Sequence, residues 1–169
     1  MDGMLAMGAL GFFAGAAVGS LAEYGIHILM HRRVILSRTH FNHHRDPEGE
    51  NVLKQFAYYV LGGIGPASLV AFGLYWSGAL PAGIGFLAGA VAWAAWVAYA
   101  HTLQHERPEL VFWMKRPVHH LHHEYGMAEH NFGLSVDWWD RVFGTYKPMP
   151  FDRGPVRFSL RDLLRIRWF

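Results

Sequence analysis

The stretch from Gln55 to Ala100, QFAYYVLGGIGPASLVAFGLYWSGALPAGIGFLAGAVAWAAWVAYA, runs for 46 residues without an Asp, Glu, Lys, Arg or His. A hydrocarbon core is about 30 Å thick and is crossed by about 20 apolar helical residues, so this stretch holds two spans. Ser77-Gly78-Ala79-Leu80 is the natural break, and Pro81 opens the next helix at a position where its ring is tolerated. The two spans are therefore Gln55–Trp76 and Pro81 to about Ala100. A connection this short and uncharged makes them a tight antiparallel hairpin. Gly65-Pro66 predicts a kink in the first, where a backbone donor is missing.

Working outward, Gly3 to Ala22 is a second uncharged run, of 20 residues, and makes a third span. It precedes the other two in the chain. Gly11, Gly15 and Gly19 line one face of it at four-residue spacing, which lets another helix approach closely. The helix is expected to continue through Glu23 and Tyr24 to His31. A cleaved signal peptide is not expected, because Met1-Asp2 supplies an acid where a basic region belongs. Arg32, Arg33, Arg38, Arg45 and Lys54 follow the first span and mark the cytoplasmic face. With three crossings, all 15 Lys and Arg residues fall on that side.

From Glu106 to Phe169 the chain mixes charge with aromatics and is too polar to cross a bilayer, so it should cap the cytoplasmic end. Ser159-Leu160-Arg161-Asp162 has the form of a helix capping box. Leu160, Leu163, Leu164 and Trp168 with Arg161 and Arg165 suggest a basic amphipathic closing helix docked at the interface. The 169 residues make one domain, 1–169, with 52% hydrophobic and 17% charged residues. The expected architecture is all-α: an integral membrane helical bundle of about three transmembrane helices with a cytoplasmic helical cap. Cysteine is absent, which excludes disulfides, thiolate metal sites and Cys-ligated clusters. The net charge of +2 comes with no nucleic-acid motif, so the partner is the membrane and not nucleic acid.

All 12 histidines fall in four places. His27 and His31 are four apart, as are His101 and His105. His40, His43 and His44 form His-x-x-His-His, as do His119, His122 and His123, with His120 and His130 as extra members. Residues three or four apart on a helix share a face, so each group aims its imidazoles into one volume. His27 and His31 end the first span and His101 and His105 end the third, two crossings later. All four groups thus reach one membrane depth on one side. Two metals with about five imidazoles each would use the ten histidines of the repeated patterns. Imidazole suits iron, copper, zinc and nickel alike. Glu23, Asp46, Glu106, Glu124, Asp137 and Asp140 are candidates to accept the second N–H of a ligating ring. There is no His-Glu-x-x-His, no Glu-x-x-His pair, no Gly-rich phosphate loop and no Gly-x-Ser-x-Gly elbow.

The order His27-x-x-x-His31, His40-x-x-His43-His44, His101-x-x-x-His105 and His119-x-x-His122-His123 resembles the fatty acid hydroxylase/sterol desaturase superfamily over roughly Glu23 to Lys147. His130-Asn131-Phe132-Gly133 and Trp139-Asp140-Arg141-Val142-Phe143-Gly144-Thr145 resemble its closing signature. The resemblance implies a membrane enzyme with two iron ions that uses O2 and two external electrons to hydroxylate or desaturate a lipid. By similarity one metal takes His27, His40, His43, His119 and His122, and the other His31, His44, His101, His105 and His123, with no catalytic residue separate from these ligands. No haem motif of a fused cytochrome b5 domain is present, so a separate donor, ferredoxin or cytochrome b5-like, is implied. The short chain and histidine layout are also similar to bacterial β-carotene hydroxylases, which makes carotenoid ring hydroxylation the alternative and a bacterial inner membrane the expected location. Oxidising an unactivated C–H bond favours iron over zinc. Tyr58, Tyr59, Trp93 and Trp96 lie near or within the spans as substrate contacts or anchors. A membrane metal-binding protein without oxygenase activity and a zinc-loaded lipid hydrolase are the rival classes.

Overall fold

A computed structural model describes residues 2–46, 51–155 and 159–169. The described chain is helical without a strand: α1 (Asp2–His31), α2 (Ser37–Arg45), α3 (Val52–Trp76), α4 (Leu80–Glu106), a 3-10 turn (Pro108–Leu110), α5 (Val118–Glu124), α6 (Trp138–Val142) and α7 (Leu160–Leu164). Three of these, α1, α3 and α4, are long and apolar enough to cross a membrane, as the charge-free runs predict. Their large apolar side chains face outward, Leu61 on α3 being 74% exposed and Leu10 on α1 71%. In a water-soluble protein such a surface would mark an interface; on a spanning helix it is the lipid-facing side.

The helix that α1 packs against is α4, at backbone contact. A Cβ added to Gly15 would stand 2.1 Å from the Phe86 carbonyl, and one added to Gly89 1.9 Å from the Phe12 carbonyl. Gly11 meets Ala82 and Gly85 meets Gly8 in the same way. The glycine rows of the first and third spans therefore face each other. Numbers rise together along both helices, so they run parallel. Gly15 lies between Phe86 and Ala90, Gly89 between Phe12 and Ala16, and Gly19 against Trp93. That register sets His27 level with His101, and His31 level with His105.

The α3–α4 hairpin forms as expected, with Gly78 at φ 82 in its turn and Gly83 facing the Ala71 carbonyl. The helix continues through Pro66 to Trp76. At the other end of α3, Asn51 accepts the amide of Lys54, while the amides of Val52 and Leu53 donate to the carbonyls of Arg167 and Trp168. The Arg167 guanidinium pairs with Glu106 at 2.7 Å, so the last residues tie α3 to the end of α4. The closing helix α7 is one turn long. Ser159 accepts from the Arg161 amide and Leu160 stays exposed, while Leu163 and Trp168 pack on the Leu103–Val118 core. Of the 15 basic residues Arg157 lies outside the described residues; the rest follow α1 or α4 or start α3, none lying in the α3–α4 turn.

Overpacking a tight contact costs about 1–3 kcal/mol. Gly15→Leu and Gly89→Leu should each lower the thermal unfolding midpoint in detergent by several degrees. Gly25→Leu, where an added Cβ meets nothing within 4 Å, should leave it nearly unchanged.

Candidate metal centre

Each pair of ligand-type residues sits on a helix that ends at the same level. α1 delivers His27 and His31, α4 delivers His101 and His105, and the short helices α2 and α5 lie across the opening with His40, His43 and His44 and with His119, His122 and His123. Ten imidazoles meet in one volume. Two subsets converge to within 4.8 Å of ligand atoms: His27, His31, His40, His44 and His122, and, beside it, His43, His101, His105 and His119.

In the first subset the Nε2 atoms of His31, His40, His44 and His122 close a ring of contacts at 2.8, 2.9, 3.3 and 2.8 Å. In the second, Nε2 of His101 is 3.2 Å from both His43 and His105, and His105 is 3.1 Å from His119. With a metal–nitrogen bond of about 2.1 Å, neighbouring donors of an octahedral or square-pyramidal set stand about 3.0 Å apart. The observed separations fit that edge.

Proton bookkeeping supports the same reading. A carbonyl only accepts, so His27 donates its Nδ1–H to Phe132 at 2.6 Å and His122 donates its Nδ1–H to His130 at 2.8 Å. Both rings are then held with a bare Nε2 lone pair facing the cluster, the arrangement a ligating histidine adopts. His27 Nε2 is buried without a hydrogen-bond partner, as is His123 Nε2. Burial, reinforced by neighbouring imidazoles, pushes His40 down to about 2 and His44 to about 4. It brings His122 to about 3 and holds His119 and His123 well below the ordinary histidine value. A largely buried set of neutral nitrogen donors with lone pairs turned inward can hold a cation, and the residues fit one or two metal ions.

The grouping differs from the division that resemblance implies. His31 and His44 stand with His27, His40 and His122, while His43 and His119 stand with His101 and His105. Helix geometry is the reason: His40 and His44, one turn apart on α2, point together toward α1, and His43 between them points toward α4. His123 belongs to neither subset of converging atoms. Its ring lies 4.8, 4.5 and 4.6 Å from those of His43, His105 and His119 and stacks on His44 at 4.0 Å. His120 turns away to meet Phe151, and His130 contributes its backbone carbonyl.

Four of the candidate carboxylates are engaged by other groups. Glu106 and Asp137 pair with Arg167 and Arg141. Glu23 accepts the Trp93 indole N–H at 3.0 Å and both the amide and hydroxyl of Ser135. Asp140 is buried and its carboxyl is raised by that burial, yet it accepts the amides of Phe132 and Gly133 at 2.8 Å and the Thr145 hydroxyl at 2.7 Å. Both acids hold the loop whose Phe132 carbonyl orients His27. Gly133 fits against the Val136 carbonyl only because it lacks a Cβ, which would stand 2.0 Å away. Asn131 adopts φ 59, and its side chain exchanges two hydrogen bonds with the Lys147 backbone.

Sequence reasoning passed over Gln104 and gave Tyr59 no contact with the histidines. Gln104 is fully buried; its amide donates to the Leu134 carbonyl and its carbonyl accepts the His119 amide at 2.9 Å. An uncharged polar residue between two ligand-type histidines on a span was the available signal. Tyr59 places its hydroxyl 3.4 Å from His101 Nδ1, whereas Tyr58 faces outward and Trp96 packs on Trp113.

Loss of an outer partner typically costs about 10–100-fold in metal affinity. Gln104→Leu, which removes the hold on His119, should weaken metal retention by that range in a chelator titration while membrane insertion persists. The depressed His40, His44 and His122 make a second prediction for metal-free protein. Unfolded chains take up protons near pH 6.5 and the folded chain does not, so stability is full above that pH and is lost as pH falls toward 4. Thermal melts of apo-protein between pH 7.5 and pH 4.5 should show the midpoint falling with acidification.

A family model described as fatty acid hydroxylase matches residues 12–145 of the chain. No curated protein and no solved structure matches it.

Proposed function

The chain belongs to the fatty acid hydroxylase family, and from that premise we propose that it is a membrane oxidoreductase that hydroxylates or desaturates a lipid C–H bond at a di-iron centre. The reading rests on one observation: ten imidazoles at the membrane end of the bundle, with two subsets of Nε2 atoms 2.8–3.3 Å apart. His27, His31, His40, His44 and His122 would hold one ion. His43, His101, His105 and His119 would hold the other, with His123, whose buried Nε2 has no hydrogen-bond partner, completing a second set of five. Two iron ions held there would supply O2 activation, with two electrons coming from a separate donor, a ferredoxin or cytochrome b5-like protein.

The protein's own part is positioning and exclusion. The Phe132 and His130 carbonyls fix the ring orientation of His27 and His122, and Gln104 fixes the start of α5. Phe132 lies edge-on to His27 and His31 and tilted against His122, an apolar wall that keeps water from the nitrogen cluster. The substrate is a fatty acyl, sterol-like or isoprenoid chain, which reaches the site from the bilayer that α1, α3 and α4 cross. Basic residues at the histidine end, with none in the α3–α4 turn, support a cytoplasmic site, in a bacterial inner membrane.

The test is metal analysis of the purified protein together with an O2-dependent product assay on cellular lipid extracts. The expected result is about two irons per chain and oxygenated or desaturated lipid. His43→Ala and His122→Ala should abolish turnover and His120→Ala should reduce it mildly. Zinc with lipid hydrolysis would sink the oxygenase reading, as would full activity in all three variants.

A further inference from the structure

The segment after α5 does not simply cover the histidine end. It descends along α1. Phe132 receives the His27 ring N–H, the Thr145 hydroxyl meets that of Tyr24 at 2.9 Å, Ser135 reaches Glu23, and the Trp139 indole donates to Ser20 at 3.0 Å. From His27 to Ser20 is seven residues of helix, about 10 Å. Trp138 stacks on Trp93 of α4 at that level, and Phe143 stacks on Tyr24.

The neighbouring face of α1 supplies a depth gauge. Its outward residues stay apolar through Val18, Leu21, Ile26 and Leu29, and the first cations are Arg32 and Arg33. The contacts at Ser20, Glu23 and Tyr24 therefore lie about 8–14 Å below Leu29, on the hydrocarbon side of the basic turn. At this depth the segment turns large apolar groups outward: Val142 is 68% exposed, Phe143 56% and Trp138 47%. Its one cation, Arg141, folds back to Asp137 at 2.7 Å and onto the Tyr146 ring at 4.0 Å, which pairs its charge locally. Ser135, Thr145 and Trp139 each meet a polar side chain of α1, and buried Asp140 is satisfied by the segment's own Phe132, Gly133 and Thr145, as a segment below the interface requires.

We propose that Trp138–Phe143 is a re-entrant membrane element, with Trp138, Val142 and Phe143 in contact with the acyl chains of the bilayer beside α1 and α4. The outer wall of the histidine cluster is then part of the lipid-facing surface. An acyl chain would contact it without leaving the membrane. This placement concerns depth alone and stands or falls independently of the reaction.

The chain has no cysteine, so single-cysteine variants label at one place. Val142→Cys and, separately, Phe143→Cys, each spin-labelled and reconstituted in phosphatidylcholine vesicles, are compared with Leu21→Cys on α1 and Lys115→Cys on the exposed loop before α5. The readout is the ratio of collision with dissolved O2, which concentrates in acyl chains, to collision with a water-soluble nickel chelate. The expected result is a ratio for Val142→Cys within about twofold of Leu21→Cys and several-fold above Lys115→Cys. A ratio nearer to that of Lys115→Cys overturns the proposal. Phe143→Cys decides the matter if Val142→Cys does not reconstitute.

Discussion

Backbone contact between α1 and α4 is the constraint on which the rest depends. Two helices can approach this closely only where neither carries a Cβ at the crossing, and Gly11, Gly15, Gly85 and Gly89 provide that along both partners. The contact fixes more than distance. Glycine against a carbonyl at four successive points sets the axial register, and the register places His27 beside His101 and His31 beside His105. A slip of one turn, about 5.4 Å, would separate the two pairs by more than the width of an imidazole. Small residues far from the histidines thus decide whether a centre can exist.

The second determinant is a set of buried polar side chains that act on backbone and not on ligands. Glu23, Gln104 and Asp140 each grip the loop 132–135, and two of them do so from within the spans. The loop in turn presents a carbonyl to His27. In this way a short irregular segment acquires rigidity that its few residues could not supply alone, and each buried amide finds a partner. The polar groups are arranged in a chain: span to loop, loop carbonyl to ring, ring lone pair to the centre.

Much of this was legible in the residue pattern. Charge-free runs gave the three spans to within a few residues, and parity of crossings put the four histidine groups at one end. Close approach of another helix followed from Gly11-x-x-x-Gly15, though not that its partner would be the Gly85 and Gly89 row of α4. The partition of the ten histidines between two subsets was not legible by resemblance, because it depends on how α2 is rolled: His43 looks to α4 while His40 and His44 look to α1. Where Glu23, Glu106, Asp137 and Asp140 spend their oxygens was hidden for a related reason. Sequence shows an acid near a histidine, but only the fold shows that Asp140 spends its oxygens on the Phe132 and Gly133 amides. Descent of the 132–143 segment was hidden by Asp137 and Arg141, whose mutual pairing removes the polarity that a residue-by-residue reading counts against burial.

The way α3 begins carries a consequence for biosynthesis. Its first amides, at Val52 and Leu53, are met by carbonyls of Arg167 and Trp168, residues joined to the nascent chain more than a hundred positions later. Helix-opening amides left open at a bilayer boundary must meanwhile be served by water. The histidine end of the α3–α4 hairpin therefore carries its full set of hydrogen bonds only with the tail in place.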